Sequence, residues 1–185
     1  MSNVEWFGPG TVISAVLAGV VSGFVGRRLG ARPLVAWLVV FSLGTIFAAT
    51  LTPIHGALET GSAGVGTCDL SRFGPARLAD LRTLNDTSLN VLLFLPLGAA
   101  IGFLPDRRRK VVVAAVAIGL PFAIEGIQLV ATSLHRGCQS ADVADNLTGL
   151  LLGFAAGQAL RLFAGLLVPS GRMPDAGRDR PAARD

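Results

Sequence analysis

The sequence has little charge for its length. Charged residues make up 15% of its 185 residues, whereas hydrophobic residues make up 51%, and the mean hydropathy is +0.60. The apolar residues form five runs long enough to span a bilayer, and the polar remainder is too broken up to build a separate soluble domain. The composition therefore excludes an ordinary water-soluble protein and predicts an integral membrane protein.

Other absences narrow the function. The net charge is +4, but the basic residues lie beside apolar runs and no stripe of aromatic and basic residues occurs, so nucleic acid is not an expected partner. The sequence contains no recognisable serine and base pair, phosphate-cradling glycine loop or cluster of metal ligands. We therefore assign no cofactor and no metal site. Residues 1–10 lack the basic region of a cleavable signal, and we expect the first apolar run to remain as an anchor.

Five transmembrane helices are predicted, which makes the fold an all-α, polytopic membrane bundle. The predicted spans are residues 11–29, 33–51, 89–104, 111–131 and 142–168. Together they form a single transmembrane domain over residues 1–168. Residues 169–185 are rich in Pro, Gly, Arg and Asp and show no apolar period, so we expect a disordered tail.

The basic residues predict the orientation of these spans. Arg27, Arg28 and Arg32 follow the first span without an acidic partner, and Arg107–Lys110 fill the short turn after the third. Such clusters are retained in the cytoplasm. With the N-terminus outside and the C-terminus cytoplasmic, twelve of the sixteen Lys and Arg lie inside. The location this predicts is a bacterial plasma membrane.

Two local patterns each allow two interpretations. Gly19, Gly23 and Gly26 of the first span suit close contact with another helix, although glycine is also simply common in membrane helices. Residues 75–84 hold leucines at three-residue spacing. This spacing is typical of a short helix in the membrane interface, and a plain loop with incidental leucines is the alternative.

The only two cysteines, Cys68 and Cys138, fall in the two loops predicted to lie outside. Disulfides persist on the oxidising side of a bacterial plasma membrane, so we predict a bridge between them that ties the two loops together. The alternative is a pair of free, buried thiols. A zinc site would need more ligands than these cysteines and one nearby histidine provide.

Polar residues from three predicted helices meet at similar depth on the outer side. They are Asp86 and Asn90 of the third span, Glu125 and Gln128 of the fourth, and Asp142, Asp145 and Asn146 of the fifth. At 1.5 Å per residue, Glu125 lies roughly 9–10 Å below the outer end of its helix. A carboxylate at that depth is costly in lipid, so we expect it to face the bundle interior with a partner.

Each of these residues also has a purely structural interpretation. The aspartates are good helix starters, because a carboxylate stabilises the positive end of a helix. The amides of Asn90, Asn146 and Gln128 can simply bridge helices. Arg136 is by default a solvated loop residue, as is His135.

The functional interpretation gives each residue type a chemical role. Glu125 acts as general acid or base, with Asp142 and Asp145 as further catalytic carboxylates, and Arg136 holds an anionic head group. The amides and Asp86 complete the binding surface. The aspartates could instead pair with Arg136 or bind a divalent cation together with Asn146.

The combined pattern resembles the VanZ-like family of small bacterial membrane proteins. The matching residues span about 86–157: Asn90, the run Leu92–Gly98, a basic turn, Ile124-Glu125-x-x-Gln128, Arg136, and Asp142-x-x-Asp145-Asn146-x-x-Gly149-x-x-x-Gly153. The resemblance implies four or five spans and an association with resistance to glycopeptides, teicoplanin in particular. It implies no particular reaction. Cys138 is a departure from the pattern, because many members have no such bridge.

Three hypotheses follow. In the first, the protein binds the anionic head of a lipid or lipid-linked envelope intermediate at the outer leaflet and hydrolyses or transfers it. In the second, it binds a lipid or a partner without catalysis and limits antibiotic access. The third, a small transporter, lacks the paired inverted repeats that such proteins usually carry.

Overall fold

Five long helices make up the computed structural model, which describes residues 6–53, 64–75 and 80–167. They are α1 (Phe7–Leu29), α2 (Pro33–Thr50), α3 (Asp86–Phe103), α4 (Arg107–Val130) and α5 (Ser140–Leu167). All five are long and apolar enough to cross a membrane. The all-helical prediction is confirmed, and each predicted span coincides with one helix to within a few residues.

The helix ends follow local sequence signals. Pro33 occupies the first turn of α2, where its missing N–H is not needed. Asn85 caps α3 through a reciprocal arrangement with Ser88, and Asp106 accepts a hydrogen bond from the backbone N–H of Arg109 at the start of α4. Both α3 and α4 continue through their internal prolines, Pro96 and Pro121.

Outside the long helices, the described segments are short. β1 (Cys68–Asp69) pairs in parallel with β2 (Cys138–Gln139). Two 3₁₀ turns lie at Asp80–Arg82 and Thr132–Leu134. The first covers only part of the predicted interfacial helix over residues 75–84, and Leu78 lies outside the described residues. The predicted disordered tail also lies outside them.

Helix α3 lies at the centre of the bundle. It packs most extensively against α5 and also contacts α2 and α4, whereas α1 packs mainly against α2. Phe94, Leu97 and Ile101 of α3 form the core with Ile46 of α2 and Ile124 of α4. The outer face of α1 remains apolar and exposed, as expected for a helix that faces lipid.

Glycines allow the backbones of α3 and α5 to touch. A Cβ atom added at Gly149, Gly153 or Gly157 of α5 would lie closer than 3.0 Å to backbone atoms of α3, at Val91, Leu95 and Ala99 respectively. Gly98 and Gly102 of α3 meet the backbone of α5 in the same way. Small residues at four-residue spacing permit this approach between membrane helices. The two helices run in parallel, because Asn90 contacts Asp142 near their starts and Gly102 lies against Gly157 near their ends.

The two interpretations of the α1 glycines apply to different positions. Nothing lies within 4 Å of a Cβ added at Gly19 or Gly23, whereas a Cβ at Gly26 would lie 3.6 Å from Ala36 of α2. The tight approach between α1 and α2 occurs instead at Gly10, beside Ala48, and at Gly44, beside Ser14. Four-residue spacing places Gly19 and Gly23 on one face of α1, but nothing in the described part of the chain packs against them.

Replacing Gly153 by Ala should destabilise the bundle by about 1–3 kcal/mol, because the added methyl group meets rigid backbone of α3 and forces α3 and α5 apart. The matched control is Gly119→Ala in α4, where the added group meets nothing within 4 Å. Thermal unfolding of the purified variants, followed by circular dichroism, measures the difference. Equal midpoints for the two variants would contradict the packing argument.

Candidate functional site

A disulfide joins Cys68 and Cys138, as predicted. It stands where β1 pairs with β2, and the backbone N–H of Cys138 also donates to the carbonyl of Thr67 at 3.1 Å. We call this the disulfide end of the bundle; it contains the ends of α2 and α4 and the starts of α3 and α5. The cross-link therefore holds residues 64–75 against the segment that leads into α5.

Residues 64–75 are also fixed to the first turn of α5. The Ser140 hydroxyl donates to the carbonyls of Asp69 and Arg72, at 3.2 and 2.8 Å. The guanidinium of Arg72 in turn donates to the carbonyl of Ala141 at 3.3 Å. This segment therefore covers the start of α5 and the polar side chains there.

Arg72 forms an ion pair with Asp145 in which Nη2 lies 2.5 Å from Oδ2. The Asp145 side chain is 1% exposed and that of Arg72 is 35% exposed, so the pair spans from the interior to the surface. Pairing with Arg136 was one of the two alternatives that the sequence left open for the aspartates, and Asp145 pairs with Arg72 instead. Arg72 was missed. The only signal for it was its position four residues after Cys68, in the loop that the disulfide brings to α5.

Glu125 lies in the interior of the bundle and is 5% exposed. Its Oε2 accepts a hydrogen bond from the backbone N–H of Gln139 at 2.7 Å. A buried carboxylate needs hydrogen-bond donors to offset the loss of water, and this N–H is one. Glu125 therefore faces a partner in the interior, as its depth predicted, and links α4 to the start of α5.

Asn90 and Asp142 connect α3 to α5 directly. The side-chain amide of Asn90 donates to Oδ1 of Asp142 at 2.7 Å. Asp86 is exposed in the first turn of α3, and its carboxylate interacts electrostatically with that of Asp142, as does that of Asp145. Glu125 also interacts electrostatically with Asp142. The predicted carboxylates from three helices thus form one interacting group.

Gln128 and Arg136 hold the end of α2. Gln128 is buried and donates to the carbonyl of Thr50 at 2.9 Å. Arg136 donates through Nε to Thr52 at 3.2 Å and through Nη2 to Ala49 at 2.6 Å. The last carbonyls of a helix lack partners within the helix and carry partial negative charge, which explains why an amide and a guanidinium bind there.

Arg136 also interacts electrostatically with the carboxylates. Burial lowers the pKa of its guanidinium, while the nearby carboxylates of Asp142 and Glu125 raise it. Within the described residues Arg136 makes no ion pair at contact distance, so its charge acts through space. Two positive groups, Arg72 and Arg136, therefore flank four carboxyl groups at the disulfide end.

Two oxygen atoms of this group have no hydrogen-bond partner among the described residues. They are Oδ1 of Asp145 and Oδ1 of Asn146, and both residues are 1% exposed. Both atoms are hydrogen-bond acceptors, and a buried acceptor without a partner costs about 1–3 kcal/mol. No three His, Cys, Asp or Glu side chains in the described ranges form a group able to hold a metal ion.

Comparison with known proteins identifies no relative: no family model, no curated protein and no solved structure matches the chain. Any function is therefore argued from the site and the sequence alone.

Replacing Arg72 by Ala should destabilise the protein by about 3 kcal/mol, because it leaves the Asp145 carboxylate buried without its charged partner. The matched control is Arg82→Ala, since Arg82 is an exposed arginine that precedes α3 at the same end of the bundle. Combining Arg72→Ala with Asp145→Asn should recover much of the loss. Thermal unfolding of the wild-type protein and the three variants checks this. An Arg72→Ala variant as stable as Arg82→Ala would contradict the prediction.

Proposed function

We propose that this chain is a VanZ-like protein of a bacterial plasma membrane, with its N-terminus outside and its C-terminus in the cytoplasm. Two features support the proposal. Residues 86–157 resemble the VanZ-like pattern, and in the predicted topology twelve of the sixteen Lys and Arg fall on the cytoplasmic side. In this orientation the disulfide end is outside. That side of a bacterial plasma membrane is the one on which a disulfide persists.

The orientation predicts the labelling of single cysteines. In a Cys68→Ser, Cys138→Ser background, Ser133→Cys should react with a membrane-impermeant maleimide added to intact cells, because Ser133 is exposed at the disulfide end. Arg108→Cys, exposed in the basic turn, should react only after the membrane is made permeable. Labelling in the reverse order would overturn the orientation.

The function supported best is recognition of the anionic head of a lipid, or of a lipid-linked envelope intermediate, at the outer leaflet. The observation that carries it is the meeting of carboxyl and amide groups from α3, α4 and α5 with two arginines at one end of the bundle. Those of α4 and two of those of α5 are buried. Polar groups are expensive at this depth in a membrane protein and usually mark a ligand or ion site. A phosphate suits the arginines, and hydroxyl or amino groups of the same head suit the carboxylates.

The contacts of each side chain suggest how the work is divided. Arg136 uses two of the five guanidinium N–H groups to hold α2, which leaves donors for a phosphate. Asp145 is neutralised by Arg72 and serves to position residues 64–75. Glu125 and Asp142 remain as the carboxyl groups suited to accept a proton from a hydroxyl or a water molecule, should the bound head be hydrolysed or transferred.

A second candidate is binding without catalysis, in which the protein binds a lipid or a partner and thereby limits the access of a glycopeptide antibiotic. The observation in its favour is that each of Glu125, Asp142, Gln128 and Arg136 already has a structural hydrogen-bond partner. Such residues can build a rigid binding surface without transferring protons.

Replacing Glu125 by Gln separates the two candidates. An amide oxygen can still accept the hydrogen bond from Gln139, so the fold should persist, but proton transfer by this side chain is abolished. The catalytic candidate predicts normal binding of a lipid-linked phosphate with at least about a hundredfold loss of turnover or of teicoplanin resistance. The binding candidate predicts that lipid binding and teicoplanin resistance both persist.

The matched control for this experiment is Asp106→Asn, which removes an exposed carboxylate at the opposite end of the bundle and keeps a good helix cap. Binding is measured with the purified protein and a phosphate-bearing envelope lipid, and resistance is measured in a sensitive host. Wild-type protein that binds no such lipid would refute the first candidate and leave of the second only the binding of a partner.

A further inference from the structure

The opposite end of the bundle carries a groove that the proposed function does not use. It lies between the start of α4 and the end of α5, has a volume of about 650 Å³, and is lined by Lys110, Gln158, Arg161, Leu162 and Gly165. We call this end the basic end, defined by Arg107–Lys110 and Arg161. We propose that this groove binds one anionic phospholipid, with its phosphate against Lys110 and Arg161.

The two cationic side chains are held in place by the end of α3. Lys110 Nζ donates to the carbonyl of Gly102 at 3.2 Å and to Oε1 of Gln158 at 2.8 Å. Arg161 Nη1 donates to the carbonyl of Leu104 at 2.7 Å, and Nη2 to that of Pro105 at 3.4 Å. Arg161 is thereby fixed across the carbonyls that follow α3.

This fixation favours ligand binding. An ammonium group has three N–H donors and a guanidinium has five, so both side chains keep donors beyond the bonds they make to α3 and α5. Side chains that are already ordered lose less conformational entropy when a ligand arrives. A phosphate beside them would therefore meet two positive groups at positions set by the fold.

The charge around the groove selects an anion. None of the lining residues is acidic, and the neighbouring turn adds the exposed Arg107, Arg108 and Arg109. Asp106, the acidic residue of that turn, caps α4 by accepting a hydrogen bond from the N–H of Arg109. Basic pockets between membrane helices are suited to anionic lipid head groups.

The apolar part of the lining selects a lipid over a free phosphate. Leu162 is 70% exposed beside Arg161, and a Cβ added at Gly165 meets nothing within 4 Å. An acyl chain can cover Leu162 while the phosphate contacts the cations, so one amphipathic molecule satisfies both halves of the groove. Lipid binding at this groove depends on neither the proposed function nor the proposed orientation.

Native mass spectrometry of the full-length protein in detergent tests the proposal, with phosphatidylglycerol and phosphatidylcholine of the same acyl chains as probes. Phosphatidylglycerol should bind at least about tenfold more tightly. Lys110→Gln and Arg161→Gln should each weaken its binding about fivefold, the effect of about 1 kcal/mol per cation. Arg108→Gln removes the same charge from an exposed position outside the groove and should change binding less than about twofold.

A second variant tests the groove without altering charge or the bonds to α3. Gly165→Leu places a side chain in the open groove and should reduce phosphatidylglycerol binding, whereas Gly119→Leu adds the same group to an open face of α4 and should not. Equal losses for Arg108→Gln and Arg161→Gln, or no loss for Gly165→Leu, would overturn the proposal. Binding of inorganic phosphate or glycerophosphoglycerol as tight as that of the lipid would also overturn it.

Discussion

The backbone contact between α3 and α5 is the constraint on which both ends of the molecule depend. Gly149, Gly153 and Gly157 bring α5 against the carbonyls of α3, which fixes the two helices in one parallel register. In that register Asn90 reaches Asp142 at one end, and Arg161 reaches Leu104 at the other. Rigid helices transmit a register along their whole length, so the same contact sets the disulfide end and the basic end. A shift of one residue along either helix would separate both pairs of partners.

A second constraint is the cost of unpaired polar groups in a bundle whose five helices are apolar enough to cross a membrane. Many of the buried polar side chains are bonded to backbone groups at a helix end or in a loop: Glu125 to Gln139, Gln128 to Thr50, and Arg136 to Ala49 and Thr52. These bonds satisfy the side chain and also supply partners for backbone groups that a helix end leaves free. The polar side chains therefore stabilise the loops as well as forming the candidate site. Within the described ranges, Oδ1 of Asp145, Oδ1 of Asn146 and Oγ1 of Thr45 are buried without such a bond.

The candidate site shows where sequence reasoning stopped. The residues of the group were found because an ionisable side chain within an apolar run is rare and its depth can be calculated. Which arginine pairs with which carboxylate was not predicted. Arg136 and Arg72 have the same charge and both lie in loops at the disulfide end, yet Arg72 contacts Asp145 and Arg136 contacts the end of α2. The path of residues 64–75 over α5 decides between them, and no local pattern encodes that path.

The sequence by itself determined the five helices and their approximate limits, because apolar run length and capping residues act locally along the chain. It also indicated the disulfide, because the chain has only two cysteines and both fall in loops predicted to lie on the same side. Only the tertiary structure decided which faces meet. The pair Gly19 and Gly23 has the same spacing as Gly149 and Gly153, but the first pair faces open space and the second touches α3. Four-residue spacing places glycines on one face of a helix; whether a second helix lies against that face depends on the packing of all five. For the same reason the sequence identified the polar residues of the candidate site but not their contacts. Hydrogen bonds and ion pairs form only between groups that the packing of the helices brings together.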